Sequence, residues 1–428
     1  MYSMFDCSLC LARPIGWKLV NYSGLTDLRG KYAVCETKFP VMFGGRSMTP
    51  AARVAAAIDI LDLWIAGDPI EKLLTNWSRR SRFAGSKDRA ALRDLVFAAL
   101  RNRNSFAALG GALTGRGLML GLLRARGDDP DQYFTGEGYG PSQLDANERA
   151  VPVSSEACDF PDWIVPDLKS ALGDEFGAIE RAMRQRAPLF LRVNSAKASV
   201  DKVITALATD GIDAQPHPLS PNAIEVTSNP RRFASSDVYH DGLAEIQDVA
   251  SQAVADLVPA EGRLLDFCAG GGGKSLALAA RGAKVTAHDI SVARMKDIPE
   301  RAERAGVKIA VCAPENLSAQ KKFDVVFADA PCSGAGSWRR DPEGKWRLTQ
   351  ERLDELLRSQ SEVLDASAKY VADGGVLAYA TCSLLAQENQ DQIASFLLRN
   401  TDWAVQSQKH FTPLQGGDGF YVAILARG

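Results

Sequence analysis

Three short apolar runs constrain this chain more than any other feature: Arg263-Leu264-Leu265-Asp266-Phe267, Phe323-Asp324-Val325-Val326-Phe327-Ala328 and Gly375-Val376-Leu377-Ala378-Tyr379-Ala380. Nearly continuous apolar runs of this length suit strands buried on both faces of a parallel sheet. Between the second and third, Leu353, Leu356, Leu357, Ser361 and Leu364 follow helical spacing, so the segment reads as a strand, helix, strand crossover. Such a crossover brings the loops after both strands to the carboxyl edge of the sheet, where open α/β sheets bind ligands. Each loop carries a cysteine, Cys332 in Asp329-Ala330-Pro331-Cys332-Ser333 and Cys382 in Thr381-Cys382-Ser383, and the two are expected to face one another across one site. A cysteine alone is more often a small buried hydrophobe. Two at matching strand ends beside a ligand loop favour the site.

The first run leads into that ligand loop, Cys268-Ala269-Gly270-Gly271-Gly272-Gly273-Lys274-Ser275, with a helix expected over Leu276 to Arg281. Glycines at such a turn let the backbone approach a ligand closely and adopt positive φ. The next strand, Ala283 to Ala287, ends at His288-Asp289, with Asp289 lying 23 residues beyond Asp266. A carboxylate there binds ribose hydroxyls, which suits a nicotinamide dinucleotide or S-adenosylmethionine. The turn lacks a clean G-x-G-x-x-G, which weakens the dinucleotide reading. Gly273-Lys274-Ser275 is similar to the end of a phosphate cradle, but G-x-x-x-x-G-K-[ST] needs glycine where Cys268 stands.

The earlier part of the chain reads differently. Thr49-Pro50 makes a helix start, after which Val54, Ile58, Leu61 and Trp64 keep helical spacing. Further helices are expected over Ile70 to Trp77, Ser86 to Asn102 and Ala107 to Arg124. From Lys72 to Arg126 there are twelve basic residues against only Asp88 and Asp94, interleaved with Asn76, Trp77, Phe83 and Phe106. That pattern suits an RNA-binding surface, with a solvated helix face as its competitor. Pro166 to Arg186 reads as a helix, Phe190 to Asn194 as a strand, Val200 to Thr209 as a helix and Ala223 to Val226 as a strand. Arg192, Asn194, Lys197, Arg231 and Arg232 are candidates there for RNA contact or plain surface cover.

The expected division is an extension over 1–47, a helical domain over 48–126, a linker over 127–160, a small α+β module over 161–241 and a cofactor domain over 242–428. The extension has no periodicity and is expected to be poorly ordered; Cys7, Cys10 and Cys35 raise a zinc site only weakly, and no metal is assigned. A chain of 428 residues suits two or three domains. Eight cysteines are too sparse for a disulfide scaffold, which points to a reducing cytoplasm. No run of eighteen apolar residues predicts a membrane span, and the first residues lack a secretory pattern. The net charge of −2 does not by itself suggest nucleic acid.

The C-terminal region resembles the Sun (Fmu) family of RNA cytosine-C5 methyltransferases. Its motifs D-x-C-A-x-x-G-G-K-[ST], D-A-P-C-S-G and A-T-C-S followed by E-N stand here as Asp266 to Ser275, Asp329 to Gly334, and Ala380 to Ser383 with Glu388-Asn389. Arg339-Arg340-Asp341-Pro342, Lys345-Trp346 and Asp418-Gly419-Phe420-Tyr421 also fit. Upstream, Phe160-Pro161-Asp162-Trp163, Leu191-Arg192-Val193-Asn194, Gln247-Asp248 and Ser251-Gln252 extend the similarity. The helical part resembles the NusB-like RNA-binding domain of the ribosomal small-subunit branch. Two departures stand out: Gly270-Gly271 replaces the usual Ala-Pro, and Glu315 stands for the usual aspartate after the third strand.

The resemblance implies an α/β fold with a Rossmann-like class I methyltransferase domain at the C-terminus, after a small α+β module and an all-helical NusB-like domain. It implies methyl transfer from S-adenosylmethionine to C5 of a cytosine in RNA, with 16S ribosomal RNA or a small-subunit assembly intermediate as partner and a monomeric enzyme. Cys382 would be the nucleophile, Cys332 would assist breakdown of the adduct, Asp329 would hold the cytosine N3 and N4 edge, and Lys274 would bind the base or a neighbouring charge. Cofactor contacts would come from Cys268, Ala269, Gly270, Gly271, Gly272, Gly273, Lys274, Asp289, Glu315 and Asp329. A DNA cytosine methyltransferase shares the Pro-Cys loop, but the Thr-Cys motif and the helical part favour RNA. An inactive RNA-binding assembly factor, or an enzyme acting on tRNA, are the alternatives.

Overall fold

The computed structural model describes residues 47–150 and 157–427. The cysteines of the zinc reading, Cys7, Cys10 and Cys35, lie outside them.

The chain after Gln247 builds a seven-stranded sheet with helices on both faces. Its strands are β5 (Arg263–Asp266), β6 (Lys284–His288), β7 (Ile309–Cys312), β8 (Phe323–Asp329), β9 (Val371–Thr381), β10 (Trp403–Phe411) and β11 (Phe420–Arg427), following the four strands β1–β4 described below. The order is β10-β11-β9-β8-β5-β6-β7. Strands β6, β5, β8 and β9 run parallel, as does β7 beside β6, whereas β11 is antiparallel to both β9 and β10. Side-chain alternation explains the two covered faces. Val326, Leu377 and Tyr379 join the core under the helices Gln350–Ala368 and Gln390–Arg399. Their neighbours Val325, Phe327 and Ala378 point into the opposite core with Val254 and Leu278. The parallel arrangement puts the ends of β5, β6, β8 and β9 on one edge, with Asp329 level with Ala380 and Asp266 level with Phe327. The helix after the glycine turn starts earlier than its apolar residues suggest, at Gly273, because Gly272 takes a left-handed conformation directly before it.

The small sheet comprises β1 (Leu189–Val193), β2 (Ala214–Pro216), β3 (Ala223–Val226) and β4 (Ala244–Ile246), all antiparallel in the order β2-β3-β1-β4. Here the expected RNA contacts divide. Arg192 and Asn194 are buried: Arg192 donates to Gln247 Oε1 at 2.5 Å, and Asn194 Nδ2 donates to the carbonyls of Gly242 and Ala305 at 3.0 and 2.7 Å. They join the small sheet to its neighbour and do not present a surface to RNA. Lys197 likewise serves the carbonyls of Asp241 and Arg304.

Residues 50–126 are helical: α1 (Pro50–Ile65), α2 (Ile70–Arg80), α3 (Ser86–Arg101), α4 (Arg103–Gly110) and α5 (Gly115–Arg126). Thr49 caps α1, its hydroxyl accepting from Ala52 N at 3.2 Å. The single helix expected over Ala107 to Arg124 is two helices bent by 91°. Gly111 breaks it at φ 86°, and glycines let the halves touch: a Cβ on Gly121 would lie 2.0 Å from the Phe106 carbonyl. No single helix among the described residues is long and apolar enough to cross a membrane. The expected helix from Pro166 to Arg186 is also broken, into Val165–Leu172 and Phe176–Met183. Its apolar face packs on Trp338, Leu353 and Leu385 of the large sheet's insertions.

Candidate active site

Backbone contacts between β8 and β9 bring the cysteine loops together. Ala330 N donates to Ala380 O at 2.8 Å, extending the ladder by one residue, and Gly336 N then donates to the carbonyl of Cys382 at 2.9 Å. The result places Cys332 Sγ 3.4 Å from Cys382 Sγ, with both side chains half-buried.

Glu388 holds the Cys332 loop. It is fully buried, and its carboxylate accepts from Ser333 N at 2.7 Å, from the Ser333 hydroxyl and from Gln360 Nε2 at 2.9 Å. Asn389 does the same for the other loop, donating to Ser383 O at 3.0 Å while accepting from the Thr381 hydroxyl. Sequence motifs include Glu388, Asn389 and Ser333 but give no sign of Gln360, whose contacts exist only once helix Gln350–Ala368 packs behind the loop. The terminal motif has a comparable purpose. Gly419 N donates to Gly336 O at 2.8 Å, and a Cβ on Gly336 would stand 2.0 Å from Gly419 O, so only glycine permits this approach. Asp418 is fixed by Arg339 at 2.9 Å and Arg340 at 2.6 Å, and Arg340 also reaches Asp248 at 2.7 Å.

Beside the sulfurs, Lys274 Nζ meets Asp329 Oδ2 at 2.6 Å and lies 5.1 Å from the centre of the Phe420 ring. Burial opposes the lysine's charge, but Asp329, Cys382 and Asp266 outweigh it and raise its pKa above the ordinary lysine value. The Cys332 thiol is pushed well up by its hydrogen bond with Cys382, by burial and by the charge Cys382 would carry, with Glu388 adding to the effect. It therefore stays protonated. Cys268 is raised well above the usual thiol range by burial and by Asp266, Asp289 and Asp329. It does not act as a second thiolate.

The glycine turn completes the edge. Gly270 and Gly272 have φ of 51° and 80°, Ala269 N bonds to His288 O at 2.8 Å, and Gly270 N donates to Asp289 Oδ2 at 3.0 Å. Asp289 is buried, also accepts from Ser291 N at 2.9 Å, and pairs with Arg294 at 3.0 Å. A Cβ built on Gly271 or Gly273 would meet only the side-chain ends of Arg301 and Gln247, at 3.4 and 3.8 Å. Glu315 is exposed in the short helix Pro314–Leu317, just after β7 and beside β6, which ends at His288 directly before Asp289. Asp266 Oδ1 is a buried acceptor without a hydrogen-bond partner among the described residues, while Oδ2 accepts from Ser275 at 2.6 Å. This donor set fits a nucleoside-bearing cofactor: a fixed carboxylate for ribose, open glycine backbone beside it and an orphaned acceptor behind the turn. The structure thus brings Cys382, Cys332, Asp329 and Lys274 together and sets Cys268 to Gly273, Asp289 and Glu315 along the same edge.

Two family descriptions match: 16S rRNA methyltransferase RsmB/F over residues 254–425, and the RsmF/B-like ferredoxin-like domain over 160–231. The chain is 34% identical over 329 residues to ribosomal RNA small subunit methyltransferase B of Yersinia pseudotuberculosis, covering 73% of each chain. With the enzyme of the same name from Photorhabdus laumondii it is 35% identical over 284 residues, covering 62% of this chain and 66% of that one. A crystal structure of a protein designated PH0851 shares the fold, with a TM-score of 0.69 at 22% identity, covering 89% of this chain and 100% of that one. These likenesses assign the chain to the RsmB/F family of 16S rRNA methyltransferases, to which it belongs and whose cofactor is S-adenosylmethionine.

Proposed function

We propose that this chain methylates C5 of a cytosine in 16S ribosomal RNA through a transient bond between Cys382 and C6 of that base. The observation that carries the reading is the sulfur pair 3.4 Å apart, flanked by the Lys274–Asp329 ion pair at the cofactor edge. Cytosine C5 is a poor nucleophile, and addition of a thiolate at C6 turns it into an enamine-like carbon. S-adenosylmethionine supplies the methyl group that this carbon takes. Lys274, ion-paired with Asp329 at 2.6 Å, supplies the positive charge of the site. Asp329, held by Lys274, accepts from the N4 amino group and from N3–H once N3 has taken a proton from water, which favours the protonated base.

The two sulfurs divide the work through charge. While Cys382 is a thiolate, its charge and hydrogen bond keep Cys332 protonated. Once the Cys382 sulfur is bonded to carbon it is neutral, and that restraint on Cys332 disappears. Cys332 then ionises more readily and accepts H5, after which the C6–S bond breaks and Cys382 leaves as thiolate. The target base enters unstacked, which costs a few kcal/mol unless it already lies in a loop. The helical region over 48–126 serves, on this reading, as a NusB-like RNA-binding domain, and the module over 161–241 carries RNA toward the site.

The test is a map of 5-methylcytosine in cellular RNA with and without the gene, complemented by wild type and by Cys382→Ala. One ribosomal cytosine should lose its methyl group and regain it only with wild type. Full restoration by Cys382→Ala would sink the assignment of the nucleophile.

A further inference from the structure

The helical region's excess of positive charge is not spread evenly. Six of the twelve basic residues between Lys72 and Arg126 are occupied within the fold or by a neighbour: Lys72 with Asp68, Arg93 with Glu71, Arg101 on the Arg339 carbonyl, Arg103 over the Trp346 ring, Arg116 with Glu148, and Arg124 on the carbonyls of Leu109 and Glu148. Five of the other six, Arg79, Arg80, Arg82, Lys87 and Arg89, lie within one corner between α2 and α3. All five are exposed, and among the described residues none has a hydrogen-bond or ion-pair partner for its side chain.

An aromatic ring projects from the same corner. Phe83 is 71% exposed, although most large apolar rings in this chain are buried. Beside it opens a groove of about 670 Å³ whose walls include Trp77, Arg79, Arg82 and Arg89. Five uncompensated like charges repel one another, and a bare phenyl ring forgoes the gain from burial. A polyanion relieves the first cost, and an unstacked base relieves the second. Duplex phosphates alone leave the ring unused, and an acidic peptide has no flat partner for it. Beyond α3, Arg186 and Arg231 share the single carboxylate of Asp94, at 3.3 and 3.1 Å, so one positive charge of that pair is left uncompensated by it.

We propose that the α2–α3 corner is a docking site for single-stranded RNA, with Arg79, Arg82 and Arg89 on successive phosphates and Phe83 stacked on an unpaired base. The site rests on the reading of the chain as an RNA methyltransferase and adds what kind of RNA segment it grips outside the target cytosine. It is remote in sequence from the cysteine edge and is a binding surface with no part in the chemistry.

Fluorescence anisotropy of the full chain with a short labelled single-stranded RNA, measured over a series of salt concentrations, tests it. Arg79→Ala/Arg82→Ala/Arg89→Ala should weaken binding and reduce the log–log salt slope by about 0.7 per cation removed, about 2 in all. Phe83→Ala should weaken binding about 5- to 100-fold while leaving that slope unchanged, and Phe83→Trp should retain it. All four positions are exposed, so melting temperatures should match wild type. Unchanged affinity and slope in these variants would overturn the site, as would equal binding to the matched duplex or equal competition by polyglutamate. If the variants bind as wild type does while wild type methylates small-subunit RNA, only the docking site falls. If wild type neither binds nor methylates RNA, the proposed function falls with it.

Discussion

Cys332 Sγ and Cys382 Sγ stand in contact at 3.4 Å without being bonded. A disulfide needs about 2.05 Å between sulfurs, so a small shift of either loop would close one. Dilute hydrogen peroxide should therefore link them, two thiols and one peroxide giving a disulfide and two waters. Peptide mapping should recover the Cys332–Cys382 pair ahead of any pair involving Cys158 or Cys268. Methyl transfer should fall with the extent of linkage and return with dithiothreitol. Loss of activity with both thiols still free would count against this contact.

Cys332→Ala should trap the enzyme on its RNA. Without a group to accept H5, the adduct forms and persists, visible as a denaturant-resistant gel shift under turnover conditions. The double variant Cys332→Ala/Cys382→Ala should show no shift. Free turnover by Cys332→Ala without any adduct would remove Cys332 from the release step.

Glu388 positions the Cys332 loop without touching substrate. In Glu388→Gln an amide NH2 replaces one of two oxygens that now accept from Ser333 and Gln360, leaving donors facing donors. A misplacement on the order of 1 Å can cost about 100-fold in rate. The expected outcome is a fall in kcat of roughly that size, with S-adenosylmethionine affinity unchanged and stability lower by about 1–3 kcal/mol. Equal kcat in the variant would show that the loop is held by other contacts.

Asp266 sets a pH dependence of stability. Burial raises its pKa from 3.8 to about 7, with the Ser275 hydrogen bond opposing and Asp329 adding to the shift. A raised folded-state pKa stabilises fully below the unfolded value, and that contribution is lost as pH rises through about 7. Asp266→Asn cannot titrate. Relative to wild type it should gain stability steadily from about pH 4 to about pH 7, by on the order of 2–4 kcal/mol. Denaturant melts across that range check this, and a pH-independent difference between the two proteins would refute it.

What sequence could disclose here follows the range of the interactions involved. Strands β5, β8 and β9, with Asp266, Asp329 and Cys382 at or just beyond their ends, were legible because burial on both faces writes a continuous apolar run. Strands β2 and β4 were not, since three residues each carry no periodicity. The break between α4 and α5 was hidden because Gly111 matters through its left-handed φ, and Gly121 through contact with Phe106. Charge was the least legible property. Arg116 and Arg101 look alike in a list of cations, yet Glu148 and the Arg339 carbonyl, 32 and 238 residues away, occupy them. Arg192 and Asn194 were offered as RNA contacts for the same reason, their buried partners being distant in sequence.

The close approach of Gly336 and Gly419 also sets a schedule. These residues are 83 positions apart, and the hydrogen bond between them braces the loop that holds Cys382 through its carbonyl. A chain emerging from the ribosome N-terminus first has both cysteines available well before β11 arrives to pair with β9. Strand β11 thus completes a site whose cysteines precede it in the chain, so a chain cut just before Gly419 should keep both thiols yet lose the brace on the Gly336 loop.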